Sequence, residues 1–517
     1  MQGSSKHPTG LRRRTGRVAA VTAAALVASL TLTAPAAAGA PPGSGRTATQ
    51  EPGVTANLWE WNWRSVAKEC TDVLGPAGYD GVQVAPPQNS VKRTELGNGQ
   101  DQILHPWWEV YQVVDYGLTS RMGSEAQFRS MVRTCRRAGV KVYVDAVINH
   151  TTGQGHTSYG GSDYTPYHYP GLYGPSDFHV PTGRCPSGDG GIQDFNNVLQ
   201  VFRCNLVGLE DLDTGSTSVR RQLAGYLNKL LRYGVSGFRV DAGKHIGQRD
   251  LDAIYARLDR TRDGVRPYWA LEVFGGGPGV LSPQAFVRSG DVLGLDAAKQ
   301  IQAAFKSYAG SGNTGSLAGL RVFGRGSGLT SSASTMSFVT NHDTDRNAGE
   351  FLGHKDGSTF VLANQWLLAQ GYGSPQVYSS FEWTERDDSP PSTSEGIITD
   401  TVCGQGWTCD HRTPGILAMV RWHHRVGRAP RRHFWSDQAN VIAFSKGSRG
   451  WAAFNNGTVD RQIRVRTGMR PGRYCDSVHD TRGGRCDGAT VRVGRGGVAR
   501  VTVPAKDAVA FTRADRR

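Results

Sequence analysis

Eight short apolar runs, mostly set apart by helix-length segments, limit what this chain can fold into more than any other feature. They fall at 55–61, 81–85, 140–149, 237–241, 269–274, 291–295, 335–342 and 375–379. Runs this short read as strands, and strands separated by helices pair in parallel, because a parallel neighbour needs a long crossover. Eight such units close into a (β/α)8 TIM barrel, an α/β fold. The helical half of the unit is clearest before the fourth run. There Val219, Leu223, Leu227 and Leu230 recur at spacings of three and four across 217–232.

At 517 residues the chain is longer than a barrel needs, and three stretches break the alternation. In residues 1–40, Lys6, Arg12, Arg13, Arg14 and Arg17 precede an apolar segment at 18–32, followed by Ala36-Ala37-Ala38 and Ala38-Gly39-Ala40. Basic, apolar, then small residues is the order of a secretory signal peptide, so the protein is expected to be secreted and extracellular. No later segment has the apolar length to cross a bilayer. Residues 41–53, rich in Pro, Gly, Ser and Thr, read as a flexible leader. The barrel then takes 54–149 and 211–430. Between these, 150–210 is rich in Gly, Tyr, Pro and His with little periodicity, too long for a simple loop, and is assigned to a subdomain inserted after the third strand. Beyond 430, runs at 440–445, 450–455, 461–465 and 498–503 alternate without helices and predict a C-terminal antiparallel β-sandwich over 431–517.

The formal charge of +15, taken alone, suggests a nucleic-acid partner; its distribution argues against one. Residues 1–40 hold five positive and no negative charges, residues 431–517 hold eighteen positive and seven negative, and 41–430 is left at −1. A nucleic-acid enzyme would place its basic surface around its chemistry, so neither nucleic acid nor membrane is expected as a partner. In the last segment arginine largely replaces lysine. A solvated strand surface is the ordinary reading there, and attachment to an anionic wall or polymer the sharper one. Eight cysteines in an exported chain predict disulfides: Cys70, Cys135, Cys185, Cys204, Cys403, Cys409, Cys475 and Cys486. Sequential pairing is the simplest framework, and the absence of a CxxC pair weakens a zinc reading.

In a barrel of this kind, polar residues at the C-terminal ends of strands line the active-site face. Asp145-Ala146-Val147-Ile148-Asn149-His150 closes the third run. Asp241, Lys244 and His245 close the fourth, Glu272 follows Ala270-Leu271 on the fifth, and Asn341-His342-Asp343 closes the seventh. Strand alternation puts Arg239 on the same face as Asp241, where a guanidinium favours the ionised carboxylate. Taken singly, each feature has an ordinary reading. Arg239 and Asp241 would be a buried ion pair, the histidines capping groups, Trp107-Trp108 an aromatic cluster, and Asp211-Leu212-Asp213 a turn or cap. Three carboxylates on separate strands, with two histidines and an arginine, are hard to explain in that way.

These four segments resemble, in order and content, the four signature regions of the α-amylase family of glycoside hydrolases, and the likeness runs over roughly 54–517. The flanks Pro106-Trp107-Trp108-Glu109 with Tyr111-Gln112, and Cys204-Asn205-Leu206 leading to Gly208-Leu209-Glu210-Asp211-Leu212, are most similar to bacterial members close to the animal enzymes. The resemblance implies endo-hydrolysis of internal α-1,4-glucosidic bonds in starch, glycogen and related α-glucans with retention, by a secreted monomer. It implies Asp241 as nucleophile, Glu272 as general acid and then base, and Asp343 as a third carboxylate that holds sugar hydroxyls. Cleavage of this type needs one ionised and one protonated carboxyl group flanking the bond. Arg239 is expected to keep Asp241 ionised, and Leu271, Val273 and Phe274 to help keep Glu272 protonated.

The same resemblance implies sugar contacts from His150, Arg239, His342, Lys244, His245 and Gln112, and stacking faces from Trp107, Trp108 and Tyr111. It implies Ca2+ held by the side chains of Asn149 and Asp211 and the carbonyls of Phe202 and His245, an oxygen set that calcium accepts. Animal-like relatives commonly bind chloride through two basic residues and an asparagine. Arg239 and Asn341 match two of these positions, but Gln376 stands at the third, so chloride is not expected to be required. A glucan transferase or maltooligosaccharide-forming enzyme, and a catalytically silent α-glucan-binding protein, are the alternatives on the same scaffold. The intact Asp241, Glu272 and Asp343 weigh against the last.

Overall fold

The computed structural model describes residues 52–96, 103–307, 315–326, 328–347, 349–480, 486 and 488–517; the signal segment and most of the leader lie outside them. The barrel strands are β1 (Thr55–Leu58), β2 (Gly81–Val84), β3 (Lys141–Ala146), β4 (Gly237–Val240), β5 (Tyr268–Leu271), β6 (Asp291–Leu293), β7 (Thr335–Phe338) and β8 (Ser374–Ser379). Each pairs in parallel with the next, and β8 closes on β1 through Thr55 and Gln376. The strands are shorter than the runs that predicted them. The run 140–149 stops pairing at Ala146, 269–274 at Leu271 and 335–342 at Phe338. The polar tails leave the ladder and turn over the barrel mouth, which is where Asn149, Glu272 and Asp343 come from.

Helices cover the barrel outside and side chains fill it inside, so the strands are buried on both faces. Tyr143 and Tyr268 meet edge to face, with ring centres 5.7 Å apart. Glycine makes room for them: a Cβ on Gly81 would lie 2.6 Å from the Tyr143 ring, and one on Gly237 would collide with the Tyr268 backbone. The helix expected over 217–232 spans Thr217–Tyr233 and ends on Gly234 in the left-handed conformation, φ 108°.

Between β3 and that helix the chain forms the insert. Its neck is a two-residue antiparallel pair, His150–Thr151 against Glu210–Asp211. Inside are one helix of six residues, Val198–Arg203, and turns packed around Tyr164, Tyr169, Tyr173 and Phe178. The disulfides are Cys70–Cys135, Cys185–Cys204, Cys403–Cys409 and Cys475–Cys486, the sequential set. The second lies within the insert.

Among the described residues the C-terminal part has eight strands: β9 (Arg431–Ser436), β10 (Val441–Lys446), β11 (Gly450–Asn455), β12 (Arg461–Arg466), β13 (Gly472–Cys475), β14 (Thr490–Val493), β15 (Val498–Val503) and β16 (Asp507–Thr512). They form two antiparallel sheets, ordered β9-β10-β11-β16 and β12-β15-β14-β13. Val441, Ala443, Trp451 and Phe511 fill the space between the sheets with Ile463, Val465, Val491 and Val501. The alternate residues of the first sheet, Ile442, Phe444, Ala452 and Phe454, belong instead to the main core. That sheet therefore has two apolar faces, one against its partner sheet and one against the barrel helices.

Candidate active site

Arg239 points from β4 into the barrel mouth, buried, and its two terminal nitrogens hold three carboxylates. Nη1 donates to Asp145 Oδ1 at 2.7 Å and to Asp241 Oδ1 at 2.8 Å, Nη2 donates to Glu272, and Asp343 Oδ2 stands 3.7 Å from Nη2. The three sequence-predicted carboxylates are thus brought together around one cation. The sequence paired Arg239 with Asp241 and set it among the sugar contacts; the structure instead commits its terminal nitrogens to three carboxylates, because a planar guanidinium presents donors in several directions at once.

Glu272 is held on both oxygens. Its Oε2 accepts the main-chain N–H of Ala242 at 2.8 Å, made possible by the left-handed conformation of Ala242 just past β4, φ 48°. Burial lifts the Glu272 carboxyl well above the usual range; Arg239 opposes this, while Asp241 and Asp343 add to it. Burial also raises Asp343, again against Arg239. Ordinary carboxyl groups ionise near pH 4, so a strongly raised one remains a proton donor at higher pH.

Asp145 lies in the segment that closes the third run, and no role is expected for it from the sequence. It is fully buried, and its carboxyl is pushed up to about 7 by burial against the pull of Arg239. Its Oδ2 accepts from the Tyr111 hydroxyl at 2.9 Å, and that hydroxyl meets His342 Nε2 at 2.8 Å. His342 in turn lies 3.3 Å from Asp343 through Nε2. Burial drives both His342 and His150 below their ordinary range, so both rings are neutral and each has one donor nitrogen.

The aromatic residues are less open than a stacking role suggests. Tyr111 stacks on His342 at 5.2 Å, and Trp59 covers the other side of that imidazole at 5.0 Å. Trp107 is 9% exposed, set edge-on to Trp59, with Nε1 donating to Arg386 O at 3.0 Å. Trp108 is only half-buried, with the Arg93 guanidinium 5.1 Å from its ring centre. Gln112 accepts from Thr152 Oγ1 at 2.7 Å, and Lys244 Nζ donates to the carbonyls of Phe274 and Gly276 at 3.1 Å each. Lys244 therefore clamps the loop after Glu272. The His245 ring is turned away from the carboxylates: Nδ1 donates to Val201 O at 3.0 Å, which commits the side chain to the insert.

At the neck of the insert, Asn149 Nδ2 donates to Asp211 Oδ1 at 3.3 Å and Asp211 Oδ2 lies 2.6 Å from His179 Nδ1. Asp211 is buried, which pushes its carboxyl up to about 6. His179, which the sequence did not single out, also reaches Asp213.

The region 78–263 matches the family model "Alpha amylase, catalytic domain", and 435–514 matches "Alpha amylase, C-terminal all-beta domain". An alpha-amylase of Streptomyces violaceus is 38% identical over 501 residues, covering 97% of this chain and 79% of the relative. The chain belongs to the α-amylase family. An alpha-amylase of the beetle Tenebrio molitor is 37% identical over 464 residues, covering 86% of this chain and 93% of the relative. The crystal structure of alpha-amylase I from Eisenia fetida aligns with a TM-score of 0.82 at 34% identity, over 90% of this chain and 98% of that one. A mutant of that enzyme is known as a maltohexaose complex, with the same TM-score. A cyclomaltodextrin glucanotransferase with a TM-score of 0.63, only 16% identical, shares the fold.

Membership makes this chain a glycoside hydrolase of the α-amylase type. The calcium that the family implies can be tested against the residues present. Among the described residues no three His, Cys, Asp or Glu side chains gather as a metal cluster. A cation at the neck would rest on the Asp211 carboxylate, the Asn149 amide oxygen and main-chain carbonyls. Phe202 lies in the last turn of Val198–Arg203, where carbonyls lack intrahelical partners. Oxygen donors around one buried carboxylate fit a hard cation such as Ca2+.

Proposed function

We propose that this enzyme cleaves internal α-1,4-glucosidic bonds of starch, glycogen and related α-glucans with retention of configuration. Asp241 attacks the anomeric carbon while Glu272 gives its proton to the leaving oxygen. A covalent glycosyl ester on Asp241 results, and Glu272, now a base, takes a proton from the water that releases it. Asp343 holds hydroxyls of the same sugar, and we assign His150 and His342 to line it. Lys244 Nζ keeps one N–H beyond the two spent on loop carbonyls, and we assign it to the next sugar. The observation that carries the reading is the single guanidinium of Arg239 joined to both Asp241 and Glu272, with burial holding the Glu272 carboxyl well above the usual range. Opposed protonation states on adjacent carboxyl groups are what a double displacement requires.

Ca2+ at Asn149, Asp211 and the carbonyls of Phe202 and His245 would order the insert against the barrel mouth. Chloride has no comparable place. Gln376 Nε2 is spent on Gln83 Oε1 at 3.0 Å and Thr55 Oγ1 at 3.3 Å, and Arg239 is already surrounded by carboxylates. Activity is expected to be unchanged when chloride is exchanged for another monovalent anion at fixed ionic strength; strong activation by chloride would refute this.

The test of the main reading is digestion of an end-blocked maltooligosaccharide with anomer-resolved analysis of the products. Internal cleavage giving α-anomers is expected. β-Anomers would overturn retention, products longer than the substrate would favour a transferase, and binding without products would favour a silent glucan-binding protein.

A further inference from the structure

The excess positive charge of the C-terminal segment is arranged in a row. Arg464 on β12 pairs directly with Arg500 on β15. The pairing of Val493 with Ala499 then sets Arg492 on β14 opposite Arg500, and Arg492 pairs with Arg473 on β13. One line of four arginines therefore crosses all four strands of the outer sheet. All four are exposed, while their neighbours Val465, Val491, Val501 and Tyr474 are buried, so the row lies on the solvent face. With strands ~4.8 Å apart, the row is about 14 Å long.

Like charges directly opposite one another destabilise a sheet, and among the described residues no carboxylate forms an ion pair with any of the four. Four of the seven carboxylates of the domain serve elsewhere: Asp437 faces Arg461, Asp476 and Asp507 hold His479, and Asp515 holds Arg425. At the β13 end the row opens into a cleft of about 660 Å³ whose lining includes Arg473, Arg492, Arg495 and Thr490.

We propose that this face docks an extended polymer of phosphate groups and holds the enzyme on phosphate-bearing material. Guanidinium groups match phosphate oxygens with paired donors, and a straight row of them suits a chain that carries charge at regular intervals. The remaining outward positions include Gln462, Arg466, Thr490 and Thr502, with no aromatic ring among them. Polymers whose repeats are rings or bases gain much of their affinity by stacking, so a uronate polysaccharide or a single-stranded nucleic acid fits less well than a ring-free phosphate chain. The face offers no large apolar side chain for insertion between lipids.

The proposal is tested by titrating the full-length secreted protein with long-chain inorganic polyphosphate at several salt concentrations. Binding is expected to weaken roughly a hundredfold between 50 and 200 mM salt, the dependence of about four phosphate contacts. The combined variant Arg464→Gln, Arg473→Gln, Arg492→Gln and Arg500→Gln should lose nearly all of that affinity. It should keep wild-type hydrolysis of a soluble maltooligosaccharide and an equal or higher Tm. Should that variant not fold, Arg500→Gln alone is expected to lower the salt slope by about one, and Arg461→Gln to affect binding less than Arg500→Gln. Undiminished binding by either row variant overturns the proposal, as does tighter binding of polygalacturonate, single-stranded DNA or anionic lipid vesicles than of polyphosphate.

Discussion

Arg239 illustrates how one side chain sets the protonation of several others. It pulls Glu272 and Asp145 down while burial pushes both up, and burial prevails. Replacing Arg239 with Gln removes the downward pull, so Glu272 should retain its proton to still higher pH. A kcat–pH profile of Arg239→Gln is expected to show turnover lowered by at least about 100-fold, with the alkaline limb of the residual activity moved upward. An unmoved limb would mean that Glu272 is not the titrating acid. A second buried carboxyl lies outside the catalytic set. Glu60 is fully buried with neither oxygen hydrogen-bonded, 3.8 Å from Arg121, and its carboxyl is pushed up to about 8. A raised acid stabilises the fold below its ordinary value of 4.5, and that stability drains away as pH climbs toward about 8. Glu60→Gln should therefore gain Tm relative to the wild type between pH 5 and pH 8, by several degrees; a constant difference would refute the buried acid. The place of Asp241 and Glu272 at the barrel mouth was legible because each sits in a motif at a strand end. Asp145 and Glu60 were not, since a lone acid in an apolar run does not reveal what surrounds it.

At the scale of elements, strand existence was plain in the sequence and strand ends were not. Apolar runs mark where backbone is buried, whereas pairing stops wherever neighbouring strands diverge at the barrel mouth, a property of the ring. The insert shows the opposite bias. Its composition announced an irregular segment, but its neck pair of His150–Thr151 and Glu210–Asp211 joins residues some sixty positions apart. That neck is where the proposed cation ties insert to barrel. Removing divalent ions with a chelator should lower Tm and activity together, with both restored by Ca2+ but not by Mg2+, which is smaller and demands octahedral geometry. Chelator-resistant Tm and activity would leave the insert held by its disulfide and aromatic cluster alone.

On the scale of the whole molecule, the C-terminal sheets are part of the main core. Ile442, Phe444 and Phe454 share one core with buried residues of the helices Ser358–Gln370 and Pro414–Val426, and Trp422 Nε1 donates to Phe511 O at 3.2 Å. Ten of the thirteen residues of Ser358–Gln370 are buried, a pattern that one-sided packing could not produce. A chain ended after Val426 should therefore expose that apolar surface and aggregate or melt well below the full chain; a soluble, equally stable truncation would contradict the shared core. The sequence by itself determined the barrel, the ordered motifs at its strand ends, the presence of disulfides and the basic terminal segment, because periodicity, spacing and charge are local properties; which cysteines pair was settled by the fold. Only the tertiary structure decided that Arg239 serves three carboxylates, that Tyr111 and Trp107 pack largely against protein, and that four arginines distant in sequence form one row. Those outcomes depend on which strands become neighbours, and register across a sheet joins residues that no local pattern connects. The short apolar runs that bound the fold most tightly say where strands lie, and closure of the ring says what their ends can do.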